Sequence, residues 1–288
     1  MAIVTLLSDF GLVDGYVAQV KATILRYAPH IEIIDISHQI ERHNVWSGSF
    51  VLGTTVSFFP RGTVHVAVID PGVGSRREPI VIDCVNGVLV GPDNGLLTAA
   101  AETLGYKAAY RIEKSLVGHT LSATFHGRDL FAIAAGKIAG GFNAREIGPR
   151  LSKVAVLHFP KPVRSKKRVK CTVLHVDVFG NVILNLTRSD VERMALSSKA
   201  ELILEKSDHR QRLIFVKSYS QLGEREFGLL EGSQGYLEIA SREQSASVLL
   251  GLRPRDSFVI SLNLRDHFRR YRADAHLHQS ASRRKRLT

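Results

Sequence analysis

The sequence predicts an α/β N-terminal domain with a mostly parallel sheet, followed by a small all-β C-terminal barrel. Three observations predict it. From residue 3 to about residue 142, short apolar runs alternate with segments whose apolar residues are spaced for helices, as in a sheet covered by helices. From residue 169 to residue 262, strand-like runs follow one another closely, punctuated by Gly, Asn, Asp and Ser, without a helical pattern between them. Between the two lies 160–170, whose two prolines and run of Arg and Lys read as a linker.

The first apolar run, 3–7, stops at Ser8, Asp9 and Gly11, as a buried strand breaking into a loop does, and 17–27 then has helical spacing. Further strands are expected at 31–36, 64–69, 80–84 and 88–90, and helices at 44–56, 95–104 and 129–139. In the second half the expected strands are 169–178, 182–186, 200–204, 212–216, 227–231, 236–240 and 257–262. The domains are therefore placed at 1–160 and 171–265, joined by a basic linker at 161–170 and followed by a basic tail at 266–288 that lacks periodicity.

A chain of 288 residues makes one large or two ordinary domains, and 44% hydrophobic with 23% charged residues is a globular composition. No apolar run approaches the ~18 residues of a membrane span, and Asp9 and Gly11 interrupt the start too early for a signal peptide. Cys84 and Cys171 each sit in a strand-like run, so a cytoplasmic location without disulfides is expected. No Cys/His cluster has zinc spacing, so no metal is expected. Much of the net charge of +12 lies in 164–170 and from Arg265 onward, in solvated segments, so nucleic acid is not expected as a partner beyond weak binding by the tail.

Candidate chemistry sits in loops that follow strand-like runs. Asp9 and Asp14 fall at the carboxyl end of the first strand, where α/β sheets open their ligand crevice; a metal, a sugar and a cation all fit two carboxylates there. The others are Asp70-Pro71-Gly72-Val73-Gly74-Ser75-Arg76-Arg77, Phe125-His126-Gly127-Arg128-Asp129 and Asp177-Val178-Phe179-Gly180-Asn181. Singly, each has an ordinary reading. Asp before Pro-Gly is a turn former, Asp93 or Asn94 a helix cap, His126 a loop histidine, and Gly180-Asn181 a hairpin turn. The Gly-rich segment at 71–75 lacks the Lys-Ser/Thr of a phosphate loop, and a Gly-x-Ser-x-Gly elbow is missing.

Together the loops resemble the adenosine-forming S-adenosylmethionine hydrolases, also called hydroxide adenosyltransferases, which are relatives of the fluorinase and chlorinase. The resemblance spans roughly residues 3–262. It rests on Ser-Asp-Phe-Gly-Leu-Val-Asp-Gly-Tyr-Val from Ser8, Ile-Asp-Pro-Gly-Val-Gly from Ile69 and Gly-Pro-Asp-Asn-Gly-Leu-Leu from Gly91. Thr-Phe-His-Gly-Arg-Asp from Thr124, Asp-Val-Phe-Gly-Asn-Val from Asp177 and Gly-Ser-Gln-Gly-Tyr-Leu-Glu-Ile-Ala from Gly232 complete it. It implies an α/β domain followed by a β-barrel, and a homotrimer whose sites form between one subunit's N-terminal domain and a neighbour's C-terminal domain. The implied reaction is attack of water or hydroxide on C5′ of S-adenosyl-L-methionine, which is the substrate, with no cofactor.

By the same resemblance the catalytic set is Asp70, Arg77 and His126, with Arg76 the alternative to Arg77 and the proton going to either Asp70 or His126. Asp9 matches the residue that grips the ribose hydroxyls, and Asp70 also meets substrate. Asp14 and Asp177 match the methionine end, Phe179 a packing surface and Asn181 the adenine reader. Ser233 and Gln234 match a Ser-Arg pair that holds the carboxylate, and Ser241 to Glu243 match backbone contacts to adenine. Where the fluorinase has a halide-contacting Ser and a Tyr, this chain has Gly127 and Asp70, and its stacking Trp falls at His43, with Trp46 three residues on. A halogenase and a non-catalytic binder of S-adenosylmethionine or adenosine are the alternatives.

Overall fold

A computed structural model describes residues 1–117, 122–165, 168–194, 196–207 and 209–262. The chain divides after His158 into two compact units.

The first unit runs β1 (Ala2–Ser8), α1 (Tyr16–Tyr27), β2 (Ile31–Ser37), α2 (Val45–Thr55), β3 (Thr63–Val68), β4 (Pro79–Cys84), β5 (Gly87–Pro92), α3 (Thr98–Leu104), β6 (Tyr106–Arg111), α4 (Ala132–Ala139) and β7 (Arg150–Leu151). Its sheet has the order β2-β1-β3-β5-β4-β6-β7. The pairs β1–β2, β1–β3 and β3–β5 are parallel, while β4 is antiparallel to both β5 and β6, and β7 to β6. Five strands thus run one way, and β4 and β7 run against them.

The period-2 alternation of each strand divides its apolar side chains between two cores. Val4, Leu6, Val64, Val66, Val68 and Val81 pack with Val20 and Ile24 of α1 and with Ala132, Ala134 and Ala135 of α4. Leu7, Ala67, Ile69, Ile80, Ile82 and Leu89 pack on the opposite face with Leu52, Val56, Ala100 and Leu104. Burial on both faces is why these strands read as continuous apolar runs. Two strands beyond those expected, β6 and β7, extend the sheet; β6 contains Lys107, Ala108 and Ala109, residues of low strand propensity. The helix expected from 95 begins at Thr98, so Asp93 and Asn94 do not cap it. Asp93 Oδ1 accepts from Ala155 N at 2.7 Å, and Asn94 Nδ2 donates to Ile69 O at 2.8 Å.

The second unit contains β8 (Val163–Ser165), β9 (Arg168–Val176), β10 (Val182–Thr187), α5 (Arg188–Met194), β11 (Glu201–Lys206), β12 (His209–Phe215), β13 (Phe227–Glu231), β14 (Tyr236–Ser241), α6 (Ala246–Leu250) and β15 (Ser257–Leu262). The order β9-β10-β14-β13-β12-β11-β15 closes on itself through β15–β9, which makes a seven-stranded barrel. Inward residues such as Val173, Leu184, Leu204, Leu229, Ile239 and Ile260 form its core. The stretch expected as a linker at 161–170 is not simply one. Val163–Ser165 pairs antiparallel with the start of β9, and its half-buried Arg164 pairs with the buried Asp190. Residues 166–167 of that stretch, and the tail expected at 266–288, lie outside the described residues. No helix among the described residues is long and apolar enough to cross a membrane.

Candidate active site

In the first unit the functional loops leave the sheet at neighbouring strand ends. β1 ends at Ser8, and the loop after it turns through Gly11 at φ 70° before α1. Asp9 Oδ2 accepts from the backbone N of His43 at 2.9 Å. Asp14 is exposed in the same loop. Phe10 of this loop and Tyr16, the first residue of α1, pack edge-on against Phe125, at centroid distances of 5.6 and 5.1 Å. Trp46 is buried in α2, whereas His43 is exposed, so the two are not equivalent as walls for a ligand.

The loop after β3 carries Asp70 and Arg77. Arg77 Nε donates to both Asp70 oxygens at 2.9 Å, and Arg77 Nη2 adds a further bond to Asp70 Oδ2. The same Nη2 donates to His126 Nδ1 at 2.8 Å. The structure thereby brings Asp70, Arg77 and His126 together, with the Asp70 and Arg77 side chains only 6% and 9% exposed. Arg76 is exposed and is not part of this group. Arg77 Nη1 is buried and has no hydrogen-bond partner among the described residues, and the guanidinium lies 5.1 Å from the centre of the Phe131 ring. His126 stands just before a π turn, Gly127–Phe131, that runs into α4; such turns recur at functional sites.

Electrostatics fix the state of the histidine. Burial, and then the positive Arg77, hold His126 below its ordinary pKa, with Asp70 opposing. A guanidinium has no lone pair to offer and can only donate. His126 Nδ1 is therefore an acceptor, and the neutral ring carries its proton on Nε2.

In the second unit the β9–β10 connection is a tight loop. Asp177 Oδ1 accepts from the backbone N of Phe179 and Asn181 at 3.0 and 2.8 Å, and Oδ2 from Asn181 Nδ2 at 2.9 Å. A cavity of about 790 Å³ opens here, lined by Asp177, Phe179, Asn181, Ser233, Gln234, Ser241 and Glu243. Its wall also includes Tyr219, Glu238 and Arg242. Sequence reasoning assigned no side-chain role to these three. Glu238 is 6% exposed and accepts from the Tyr219 hydroxyl. Burial pushes its carboxyl up, the Tyr219 hydrogen bond opposes, and the charge of Asp177 adds to the rise. The expected site residues thus fall into two groups, one in each unit.

Comparison with known proteins reads the two halves alike. Residues 4–148 match the SAM hydroxide adenosyltransferase N-terminal domain, and residues 171–259 match its C-terminal domain. The chain belongs to the SAM hydroxide adenosyltransferase family. Among similar members, the (R)-S-adenosyl-L-methionine hydrolase of Methanocaldococcus jannaschii is 39% identical over 263 residues, covering 87% of this chain and 92% of that protein. The one from Salinispora tropica is 36% identical, covering 86% and 94%. A fluorinase from an Actinoplanes species is more distant, at 27% identity over 70% of this chain and 77% of its own. The crystal structure of an uncharacterized conserved protein from Thermotoga maritima superposes with a TM-score of 0.85 at 34% identity, covering 90% of this chain and 99% of that one.

Proposed function

We propose that this hydroxide adenosyltransferase family member hydrolyses S-adenosyl-L-methionine to adenosine and L-methionine. The oxygen of water bonds to ribose C5′ as the C5′–S bond breaks, the bonding pair goes to sulfur, and the sulfonium leaves as neutral methionine thioether. Such a leaving group needs no general acid. What limits the reaction is the nucleophile, which must be held in line and relieved of a proton. The observation that carries this reading is Arg77, gripped between Asp70 and His126 with one buried nitrogen unpartnered. A cation in that place favours hydroxide over water and loses little to solvent.

The hydrogen-bond directions favour Asp70 as the group that takes the proton. His126 Nδ1 is occupied by Arg77 and its Nε2 already carries hydrogen, so His126 orients Arg77 and can donate to the incoming oxygen. Asp70, an acceptor with lone pairs beyond those that meet Arg77, takes the proton. Asp9 binds the ribose hydroxyls, Asn181 reads adenine, and Ser241 and Glu243 add contacts to the ring through their backbone. Phe179 packs on the substrate, while Asp14 and Asp177 meet the ammonium group. Ser233 and Gln234 face the carboxylate. Arg242 is the one cation among the described residues lining the cavity, and it supplies the charge that Gln234 lacks. The reaction draws on no cofactor, and the protein works in the cytoplasm.

The binding groups lie in two compact units, which fits a homotrimer whose sites are shared between subunits. Exposed apolar side chains in both loops support subunit contact: Leu12 and Val13 in one, Val178 and Phe179 in the other. Sedimentation should give about three chains per particle; a monomer at working concentration contradicts shared sites.

The test is incubation with S-adenosyl-L-methionine in ¹⁸O-water, with adenosine read by mass spectrometry. One solvent oxygen at C5′ is expected; adenosine without label, or no adenosine, rejects the chemistry.

Restoring the halogenase serine is not expected to restore halogenation. A Cβ at Gly127 would sit 3.1 Å from Phe10 Cζ and 3.2 Å from Phe125 Cε2, so Gly127→Ser must shift those rings, of which Phe125 is next to His126 in sequence, by a few tenths of an ångström. Hydrolysis should fall about tenfold or more, as misplacement near a reacting centre does. No 5′-halogenated nucleoside should form in chloride or fluoride buffer, and its appearance would show that Gly127 alone separates the two activities.

A further inference from the structure

Beside the loop that carries Asp9, the buried Ser8 and His38 form a chain that ends at the exposed Asp35. The Ser8 hydroxyl meets His38 Nδ1 at 2.7 Å, and Ser8 Oγ accepts from the backbone N of Phe10 at 3.3 Å. His38 Nε2 lies 3.1 Å from Asp35 Oδ1, close enough for electrostatic attraction though not aligned as a hydrogen bond. Asp35 Oδ2 accepts from Lys21 Nζ at 2.6 Å. His38 also offers its backbone O to the N of Gly11 at 2.8 Å. Ser8 and His38 are 2% and 5% exposed.

The three residue types invite a hydrolase reading, which the geometry rejects. Ser8 is sealed in the fold at the end of β1, where no substrate carbon reaches its hydroxyl. The contacts instead clasp the loop at both ends. Ser8 and the His38 backbone hold its first turn at Phe10 and Gly11, and Asp35 ties α1, at its exit, through Lys21. Everything in the loop, including the Asp9 carboxylate and the Phe10 ring, hangs between those points.

Donor and acceptor roles follow. A carboxylate oxygen can only accept, so the hydrogen of the His38 ring is placed on Nε2, which faces Asp35 Oδ1 at 3.1 Å. His38 Nδ1 is then the acceptor, and the Ser8 hydroxyl donates to it. We propose that His38 is a positioning residue: by accepting from Ser8 it fixes the hydroxyl that holds the Phe10 amide, and so sets the Asp9 carboxylate for the ribose. The consequence for substrate rests on the reading of Asp9 as the ribose clamp, whereas the effect on the loop backbone does not.

Two variants separate the halves of the ring. In His38→Asn the side-chain oxygen stands where Nδ1 stands and can still accept from Ser8. In His38→Gln the amide reaches Asp35 but leaves the Ser8 hydroxyl without its acceptor. KM and kcat for S-adenosyl-L-methionine are measured with hydrogen exchange at the Phe10 and Gly11 amides. His38→Gln should raise KM about tenfold, the scale of a buried polar group left unpaired. Its kcat should stay within about twofold, since the reacting groups are untouched, and its Phe10 amide should exchange faster. His38→Asn should stay near wild type in both readouts. Ser8→Ala removes the same bond from the other side; it should reproduce His38→Gln and serves if that variant does not fold. Equal behaviour of Asn and Gln, or a loss in kcat with KM unchanged, overturns the proposal. If the wild-type protein releases no adenosine, the hydrolase reading fails, and the exchange contrast alone decides the role of His38.

Discussion

Replacing Asp70 with Ala should lower kcat for S-adenosyl-L-methionine by roughly 100-fold or more, the range lost when a general base is removed. Asp70→Ala also strands the Arg77 guanidinium, which now spends Nε and Nη2 on that carboxylate, so KM is expected to rise as well. His126→Ala should cost a similar factor for a different reason, since Arg77 Nη2 would lose its second anchor. His126→Asn separates the roles. The amide oxygen can accept from Arg77 where Nδ1 does, but it cannot take a proton at neutral pH. If Asp70 is the base, His126→Asn should keep activity within about tenfold of wild type, well above the floor that loss of a base sets. If His126 carries the proton, Asn should be as inactive as Ala. Wild-type rates in both Asp70→Ala and His126→Ala would remove the pair from the mechanism.

The pH profile gives an independent reading of the same group. His126 must be neutral for Nδ1 to accept from Arg77, and burial and Arg77 hold its pKa below the ordinary 6.5. Activity should therefore persist on lowering the pH through 6.5 and fall only below it. In His126→Asn that acid limb should vanish. The sign for stability is the same. Above pH 6.5 neither folded nor unfolded chain protonates this ring; below it the unfolded chain takes up the proton first, so the native state is disfavoured as pH falls. An acid limb at or above 6.5 would contradict the buried, neutral histidine.

Much of the fold was legible because its strands are extreme. A strand buried on both faces has no polar positions to hide it, so β1 and β3 stand out as apolar runs rich in Val, Leu and Ile, with only Thr5, Ser8, Thr63 and His65 as buried polar residues. β6 was not legible, since Ala108 and Ala109 suit a helix as well and the sheet around them decides. β8 was hidden by the basic run that Arg164 opens, which marks a linker in sequence, although Val163–Ser165 is an edge strand in space. The site divides in the same way. Asp9, Asp70, His126 and Asp177 are polar residues at the ends of apolar runs, where a turn former and a ligand look alike until several are read together. Tyr219 and Glu238 meet across 19 positions, and Ser8 and His38 across 30. The second meeting depends on β1 and β2 being parallel neighbours with Leu7 opposite Ser37, a register that no local pattern announces.

The largest stability effect is expected at Gly180. It holds φ at 84°, a left-handed conformation costing roughly 1–2 kcal/mol for a residue with a side chain. A Cβ there would also fall 2.5 Å from Ser245 Cβ and 2.7 Å from Ser245 Cα, and the second contact is with backbone that cannot swing aside. Overpacking of that kind adds about 1–3 kcal/mol. Gly180→Ala should therefore destabilise the barrel by about 2–5 kcal/mol in denaturant unfolding. Substrate binding should suffer with it. The Gly180 O accepts from Ser247 N at 2.9 Å, and Ser245, which caps α6 and lines the cavity, is the residue the new methyl strikes. Two further variants split the causes. Asn tolerates left-handed backbone better than Ala, so Gly180→Asn should be spared only if conformation dominates; the contact with Ser245 predicts that it is not. Adding Ser245→Gly to Gly180→Ala removes the Cβ and hydroxyl contacts while leaving the one to Cα. Recovery in that double variant should be partial, and the coupling between the two positions measures how much of the loss is collision rather than backbone strain. A loss below about 1 kcal/mol in Gly180→Ala would mean that the β9–β10 loop yields, and that the Asp177–Asn181 arrangement is not held rigid by its packing against α6.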